Sequence, residues 1–192
     1  MRRSGVSSSV LFRVLPWIVA GLAASPAWAS VKVFGSGYAR QCYEAAAKGH
    51  YDKASIRLCD LALEDNSLIP SDRGGTLVNR GVMRLHLRDY AQAQVDLDSS
   101  VAMNPQAGDG WLDRGAAKLA MHHDRAALTD INRAISLGVH EPEKAYYDRA
   151  IAEERLDDEK AAYFDYQRAV EIKPGWALPL KELARFTVST AP

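Results

Sequence analysis

The sequence predicts an all-α fold: a right-handed solenoid of antiparallel helix pairs, about four of them, with a C-terminal capping helix. Two observations predict it. Asn79-Arg80-Gly81, Asp113-Arg114-Gly115 and Asp148-Arg149-Ala150 recur at offsets of 34 and 35 residues. Ala93, Ala127 and Ala162 recur in the same step, as do Ser100, Ala134 and Ala169. A fixed period in this range marks a stack of repeated supersecondary units. Such stacks present extended binding surfaces, so the implied role is to hold a partner.

The chain of 192 residues opens with Met1-Arg2-Arg3, then an apolar stretch from Val10 to Ala24, then Ala27-Trp28-Ala29. A basic start, a short apolar middle and an A-x-A exit read as a secretory signal peptide, residues 1–29, cut after Ala29. The apolar run is interrupted by Arg13 and Pro16 and falls short of the roughly 20 apolar residues of a spanning helix, so an uncleaved anchor is the lesser reading. No cysteine follows the cut to carry a lipid. Residues 30–37 hold two glycines and read as a linker. The expected location is the bacterial periplasm, with no membrane insertion after cleavage. The signal carries three arginines and no acidic residue, which leaves 21 basic against 24 acidic side chains, a net of −3. That balance speaks against nucleic acid and against an anionic lipid surface as partner.

The second unit, about 74–107, is the best formed. Leu77, Gly81 and Leu85 lie at helical spacing, Arg88-Asp89-Tyr90 interrupts, and Ala93, Leu97, Ser100 and Val101 form a second stripe. Asn104-Pro105 stops it, because proline cannot continue a helix. The third unit, about 108–142, opens on Trp111, with Gly115, Ala127 and Ala134 at the small sites. Gly138-Val139-His140 stands where a closing proline is expected. The fourth, about 143–176, has Tyr146, Ala150, Ala162, Ala169 and Pro174. The first, about 38–73, is less regular: Tyr38 opens it and Gly49-His50-Tyr51 forms its turn, but Ala54 and Ala62 are eight apart where the others show seven. One inserted residue is expected there. Leu178 to Val188 reads as the capping helix, with Leu180, Leu183, Ala184 and Phe186 covering the fourth unit and residues 189–192 as a tail.

These small-residue sites, opening aromatics and closing prolines resemble the tetratricopeptide repeat, an antiparallel helix pair of 34 residues. The resemblance covers most of the chain beyond the signal. It implies protein–protein interaction, an inner face built from the first helix of each pair, and no cofactor. The inward residues it implies are Val78, Val82 and Leu85, then Leu112, Ala116 and Leu119, then Tyr147 and Ile151, with Glu154 at the edge. Ala39, Tyr43 and Ala46 are the first unit's equivalents. Some members grip a terminal carboxylate with Lys, Asn and Arg at such positions. Here Val78, Val82, Leu112 and Ala116 are apolar and Asn79 is a lone match, so the expected ligand is an apolar peptide or helix. The alternative occupant is the chain's own Val31-Lys32-Val33-Phe34.

Arg80, Arg114 and Arg149 each precede an aspartate by 16 residues: Asp96, Asp130 and Asp165. Both members recur in step, which reads as structural ion pairs rather than a triplicated reaction site. Cys42 and Cys59 are the only cysteines and lie on the two helices of one unit. In an exported protein such a pair is a candidate disulfide, two buried thiols being the alternative. His122-His123-Asp124 falls in a turn and supplies too few ligands for a metal site. No phosphate loop, nucleophile elbow or Cys/His catalytic pairing occurs, so no enzyme activity is expected. Besides an adaptor or scaffold, two roles stay open: self-association through an end face, and non-catalytic regulation of a cell-envelope enzyme. On the groove reading, Leu112→Glu abolishes binding and leaves helical content intact.

Overall fold

The computed structural model describes residues 10–14 and 37–190. Most of the expected signal peptide, the linker as far as residue 36, and residues 191–192 lie outside the described residues. Within them, β1 (Val10–Val14) is followed by α1 (Tyr38–Ala47), α2 (Lys53–Glu64), α3 (Pro70–His86), α4 (Tyr90–Met103) and α5 (Gly108–Ala120). Then come α6 (Asp124–Leu137), α7 (Pro142–Arg155), α8 (Glu159–Ile172), α9 (Ala177–Leu183) and β2 (Phe186–Thr190). The fold is an all-α, right-handed solenoid. Helices pair as α1–α2, α3–α4, α5–α6 and α7–α8, and α1, α3, α5 and α7 also touch along the stack. These four line the inner side.

Each pair turns over in the same way. The first helix ends two residues before a left-handed residue: Gly49 (φ 74), Arg88 (φ 62), His122 (φ 59) and Asp157 (φ 65). The amides that follow reach back to close the helix: Asp89 N to Arg84 O at 2.8 Å, His123 N to Lys118 O at 2.9 Å, Asp158 N to Glu153 O at 2.9 Å. This is the C-terminal motif that satisfies orphan carbonyls. The second helix then starts on a side-chain cap in three units, where Asp52, Asp89 and Asp158 accept from the amides of Ser55, Gln92 and Ala161. The cap pairs with an amide donor that has no helical partner. His123 holds the place in the third unit and makes no such bond.

The helices of a pair cross at the small residues. A Cβ on Gly81 meets Leu97 Cγ at 3.0 Å, and one on Gly115 meets Ile131 Cγ1 at 2.6 Å. The turn register puts Cys42 at this same site, seven residues before Gly49, as Gly81 is before Arg88 and Gly115 before His122. There Cys42 and Cys59 are disulfide-bonded, with Cα atoms 4.9 Å apart. The inserted residue of the first unit is not inside α2. Ser55 is buried and Ala54 is exposed, so Ser55 and Ala62 keep the spacing of seven. The extra residue lies in the turn, where 13 positions separate Cys42 from Ser55 and 12 separate Gly81 from Ala93.

The junction without a closing proline is held by backbone contact. Gly138 is left-handed (φ 83), and a Cβ on Gly108 would come within 2.1 Å of its carbonyl oxygen. His140 adds two contacts to Asp109, N to Oδ1 at 3.0 Å and Nδ1 to Oδ2 at 2.5 Å.

At the C-terminal end the capping helix is shorter than the expected 178–188. It spans Ala177–Leu183, and Phe186–Thr190 is a strand paired antiparallel with Val10–Val14, Val14 opposite Phe186. Thr187, Val188 and Thr190 are β-branched and stiff, which favours the extended chain. Of the four residues expected to cover the fourth unit, Leu183 and Phe186 do so, while Leu180 and Ala184 are exposed. Leu180 is 43% exposed, whereas Phe186 is buried with its ring centroid 5.6 Å from that of Tyr163.

Two outcomes test this packing. Gly108→Ala should lower the urea midpoint further than Gly81→Ala, because one side chain meets a carbonyl and the other a movable leucine; overpacking of this kind costs about 1–3 kcal/mol. Replacing Cys42 and Cys59 by serine should cost about 3 kcal/mol on the loop-closure estimate, read by denaturant unfolding.

Candidate functional site

The three arginines tie more than their own pairs. Arg80 grips Asp96 with Nε at 3.0 Å and Nη2 at 2.6 Å, and its Nη1 reaches back to Asp60 of α2 at 2.7 Å. Arg114 holds Asp130 at 2.7 and 2.9 Å and Asp98 of α4 at 3.0 Å. Arg149 holds Asp165 at 2.5 and 2.9 Å and Asn132 of α6 at 2.9 Å. Each guanidinium therefore joins a first helix to its own second helix and to the second helix of the preceding unit. A second cation completes two of the clusters: Arg84 on Asp96 and Lys118 on Asp130, both at 2.6 Å. These backward contacts and second cations are absent from the sequence expectation, although the spacing of 12 from Arg84 to Asp96 recurs from Lys118 to Asp130. Burial opposes the Arg80 cation, but Asp96 and then Asp60 outweigh it and hold its pKa above the usual arginine value. The hydrogen bonds that Arg114 and Arg149 donate to Asp130 and Asp165 do the same for those two arginines. Trp111 and Tyr146, the opening aromatics, lie under Arg114 and Arg149 with 4.6 and 5.3 Å from ring centroid to guanidinium carbon.

All eight inner-face residues expected to meet a partner are buried. Val78, Val82, Leu85, Leu112, Ala116, Leu119, Tyr147 and Ile151 are at most 6% exposed. They form the joints between units: Val78, Val82 and Leu85 pack with Ala117 of α5, while Leu112 and Leu119 share a cluster with Tyr147, Ala150 and Ile151 of α7. In this structure they are core. A glutamate at Leu112 would bury a charge with no cation beside it, which costs several kcal/mol, so Leu112→Glu cannot leave the helices intact. Asn79, Asp113 and Asp148, which follow Val78, Leu112 and Tyr147 directly, are also fully buried. The inner face is thus apolar and polar in alternate columns.

At α7 the cover is identifiable. The Trp176 ring centroid lies 5.0 Å from that of Tyr147, and Arg185 pairs with Glu154 and with Glu182. Glu154 also accepts from the Tyr166 hydroxyl at 3.0 Å. Burial raises the Tyr147 and Tyr166 hydroxyls far above the usual phenol range, with nearby carboxylates adding to it. The C-terminal segment therefore seats on the inner residues of α7.

His122 and His123 line an open depression of about 410 Å³ with Asp124, Arg125, Ala126 and Leu156. Among the described residues no three metal-ligating side chains converge, there or elsewhere. No described helix is long and apolar enough to cross a membrane.

No protein-family model and no curated protein matches the chain. Solved structures do. MamA from Desulfovibrio magneticus RS-1 superposes with a TM-score of 0.57 at 20% identity, over 73% of this chain and 75% of that one. The Arabidopsis OM64 TPR domain gives 0.58 at 20% identity, covering 61% of this chain and 96% of its own. The first TPR of Spaghetti (RPAP3), bound to an HSP90 peptide, gives 0.57 at 24%, over 59% and 90%. The architecture defined above is that of a helical-repeat solenoid. More particularly, this chain has the tetratricopeptide-repeat fold.

The ladder yields a contrast. Arg114→Met leaves the buried Asp130 with Lys118 alone and should cost about 3 kcal/mol, the range for breaking one side of a buried pair. Asp98→Asn, half exposed at the other end of the same arginine, should cost under about 1 kcal/mol. Urea unfolding at neutral pH measures both.

Proposed function

We propose that the protein is a non-catalytic scaffold or adaptor of the cell envelope, exported across the inner membrane, that docks an apolar peptide or helix along α3, α5 and α7. The observation that carries this reading is the column of Val78, Leu112 and Tyr147, one per repeat on neighbouring inner helices. Apolar side chains aligned at the repeat period suit a partner segment with matching anchors. The RPAP3 domain, similar in fold, has been solved with a bound peptide. The ligand class differs here, because Val78, Val82, Leu112 and Ala116 offer no cation to a terminal carboxylate. In the chain alone Val78 and Leu112 are buried in the joints between units and Tyr147 lies under the C-terminal segment, so docking requires those joints to open. At α7 the leaving groups are Trp176 and Arg185, which free Tyr147 and Glu154 for the partner.

A second reading rests on α9. Leu178 and Leu180 are 41% and 43% exposed on the last helix of the stack. End-to-end association would bury them, and a sedimentation coefficient that rises with concentration and loses that rise in Leu180→Glu would favour it.

Photo-crosslinking tests the first reading without disturbing the core. Benzoylphenylalanine replaces Tyr43, half-buried on the inner side of α1, or Phe164, 53% exposed on α8. A discrete envelope protein should be captured from position 43 and not from position 164. Capture from position 164 alone, or from neither, sinks the inner-face assignment.

A further inference from the structure

We propose that the fourth repeat holds a proton where the second and third hold a second cation, which makes the α7–α8 pair a pH-sensitive joint of the solenoid. This inference is independent of the partner reading. Four residues after the ladder arginine, and twelve before the ladder aspartate, the second unit has Arg84 and the third has Lys118. Both donate to that aspartate at 2.6 Å. The same register position in the fourth unit is Glu153, opposite Asp165.

The charge count in each cluster shows the consequence. In the second unit Arg80 and Arg84 face Asp96 and Asp60, and the cluster is neutral. In the third, Arg114 and Lys118 face Asp130 and Asp98, again neutral. In the fourth, Arg149 alone faces Asp165 and Glu153, and the residue reached backward is the uncharged Asn132. The cluster is one negative charge in excess. A single proton on Glu153 restores the neutrality of its neighbours.

The geometry favours this. The Glu153 side chain is 14% exposed and its carboxyl lies within hydrogen-bond reach of Asp165. Its Oε2 has no partner if both groups are carboxylates, since neither then has a donor. Protonated, Glu153 donates to Asp165 and the orphan atom is satisfied. Among the described residues no second cation pairs with Glu153. Arg149 Nε is 3.8 Å from Glu153 Oε1 and bonded to Asp165, Asp158 at the start of α8 adds negative charge, and Arg185 of the C-terminal segment is committed to Glu154 and Glu182. Burial first, then Asp165, pushes the Glu153 carboxyl up to about 8, with Arg149 opposing.

The sign follows. The folded state keeps the proton that the unfolded chain releases at the ordinary glutamate value. The contribution to stability is fully present below about pH 4.5 and is lost as pH rises through about 8. The loss therefore runs from about pH 4.5 to about 8 and is complete above that, so the device loosens the α7–α8 pair, on which the C-terminal segment rests, as pH rises through neutrality.

Urea unfolding of the whole chain and of Glu153→Gln, between pH 5.5 and 9, tests this. The unfolding constant of the parent should rise relative to that of the variant by on the order of tenfold or more across the range. Ionisations common to the two proteins cancel in the comparison. Glu153→Lys, which restores the register of Arg84 and Lys118, should also lack the alkaline loss. Carboxyl-carbon NMR of the parent should place the Glu153 midpoint near 8. Parallel profiles for parent and Glu153→Gln, a Glu153→Lys profile that falls with the parent, or a midpoint below about 5.5 would each overturn the proposal.

Discussion

The stack depends on one side chain per repeat that touches three helices. The guanidinium of Arg80, Arg114 or Arg149 presents a rigid fork, two arms of which close on the aspartate of its own unit. The third arm points back along the axis to Asp60, Asp98 or Asn132. Lysine, a single point of charge on a flexible stem, cannot hold both directions at once. The pairing within a unit and the stacking between units are therefore fixed by the same group. The aspartates make this obligatory: Asp96 and Asp130 are almost wholly buried, and a buried carboxylate without its cation costs more than the pair contributes.

A second constraint lies where the helices of each pair approach most closely. The same site is filled four ways: Cys42 on Cys59, Gly81 on Leu97, Gly115 on Ile131, Ala150 on Tyr166. In each case one helix offers a small residue and the other fills the space left, because the interior tolerates neither void nor overlap. The covalent version falls in the first unit, which among the described residues stacks only on α3. The opposite end, equally short of a neighbour, is closed by Trp176, Leu183 and Phe186 on the α7–α8 core. The two ends of a quasi-one-dimensional fold need extra closure, and this chain supplies it by different chemistry at each.

Most of this was legible from periodicity, and what was not has physical reasons. The small sites and the Arg–Asp spacing of 16 are local signals repeated three times, and repetition separates them from chance. Ala54 and Ser55 are equivalent in the sequence pattern because serine is about as small as alanine, and only burial distinguishes the two. The inner residues fall on the first helices of their units, but exposure is not readable from an apolar pattern. An apolar residue on the first helix serves equally to line a groove or to join adjacent units, and Val78 against Ala117 does the second. The end of α9 at Leu183 is not readable because the apolar spacing runs on to Phe186 and the β-branched residues of the strand start only at Thr187.

A repeat protein is most informative where it departs from its own period, and here the departures gather in the fourth unit. Units two and three match each other at the arginine, the second cation and the backward aspartate. Unit four replaces the second cation with Glu153 and the backward aspartate with Asn132, and it carries the large Tyr166 where Leu97 and Ile131 stand. It is also the unit on which the C-terminal segment sits. Glu153 and Glu154 are adjacent on α7, so their side chains leave the helix about 100° apart at 3.6 residues per turn. One turns to the ladder aspartate of α8, the other to Arg185 of the closing segment. The helix is thus flanked by a carboxyl that lacks a cation on one side and a carboxylate that has borrowed one on the other. Both faces of this one helix are held by groups outside the repeat pattern, which sets it apart from α3 and α5.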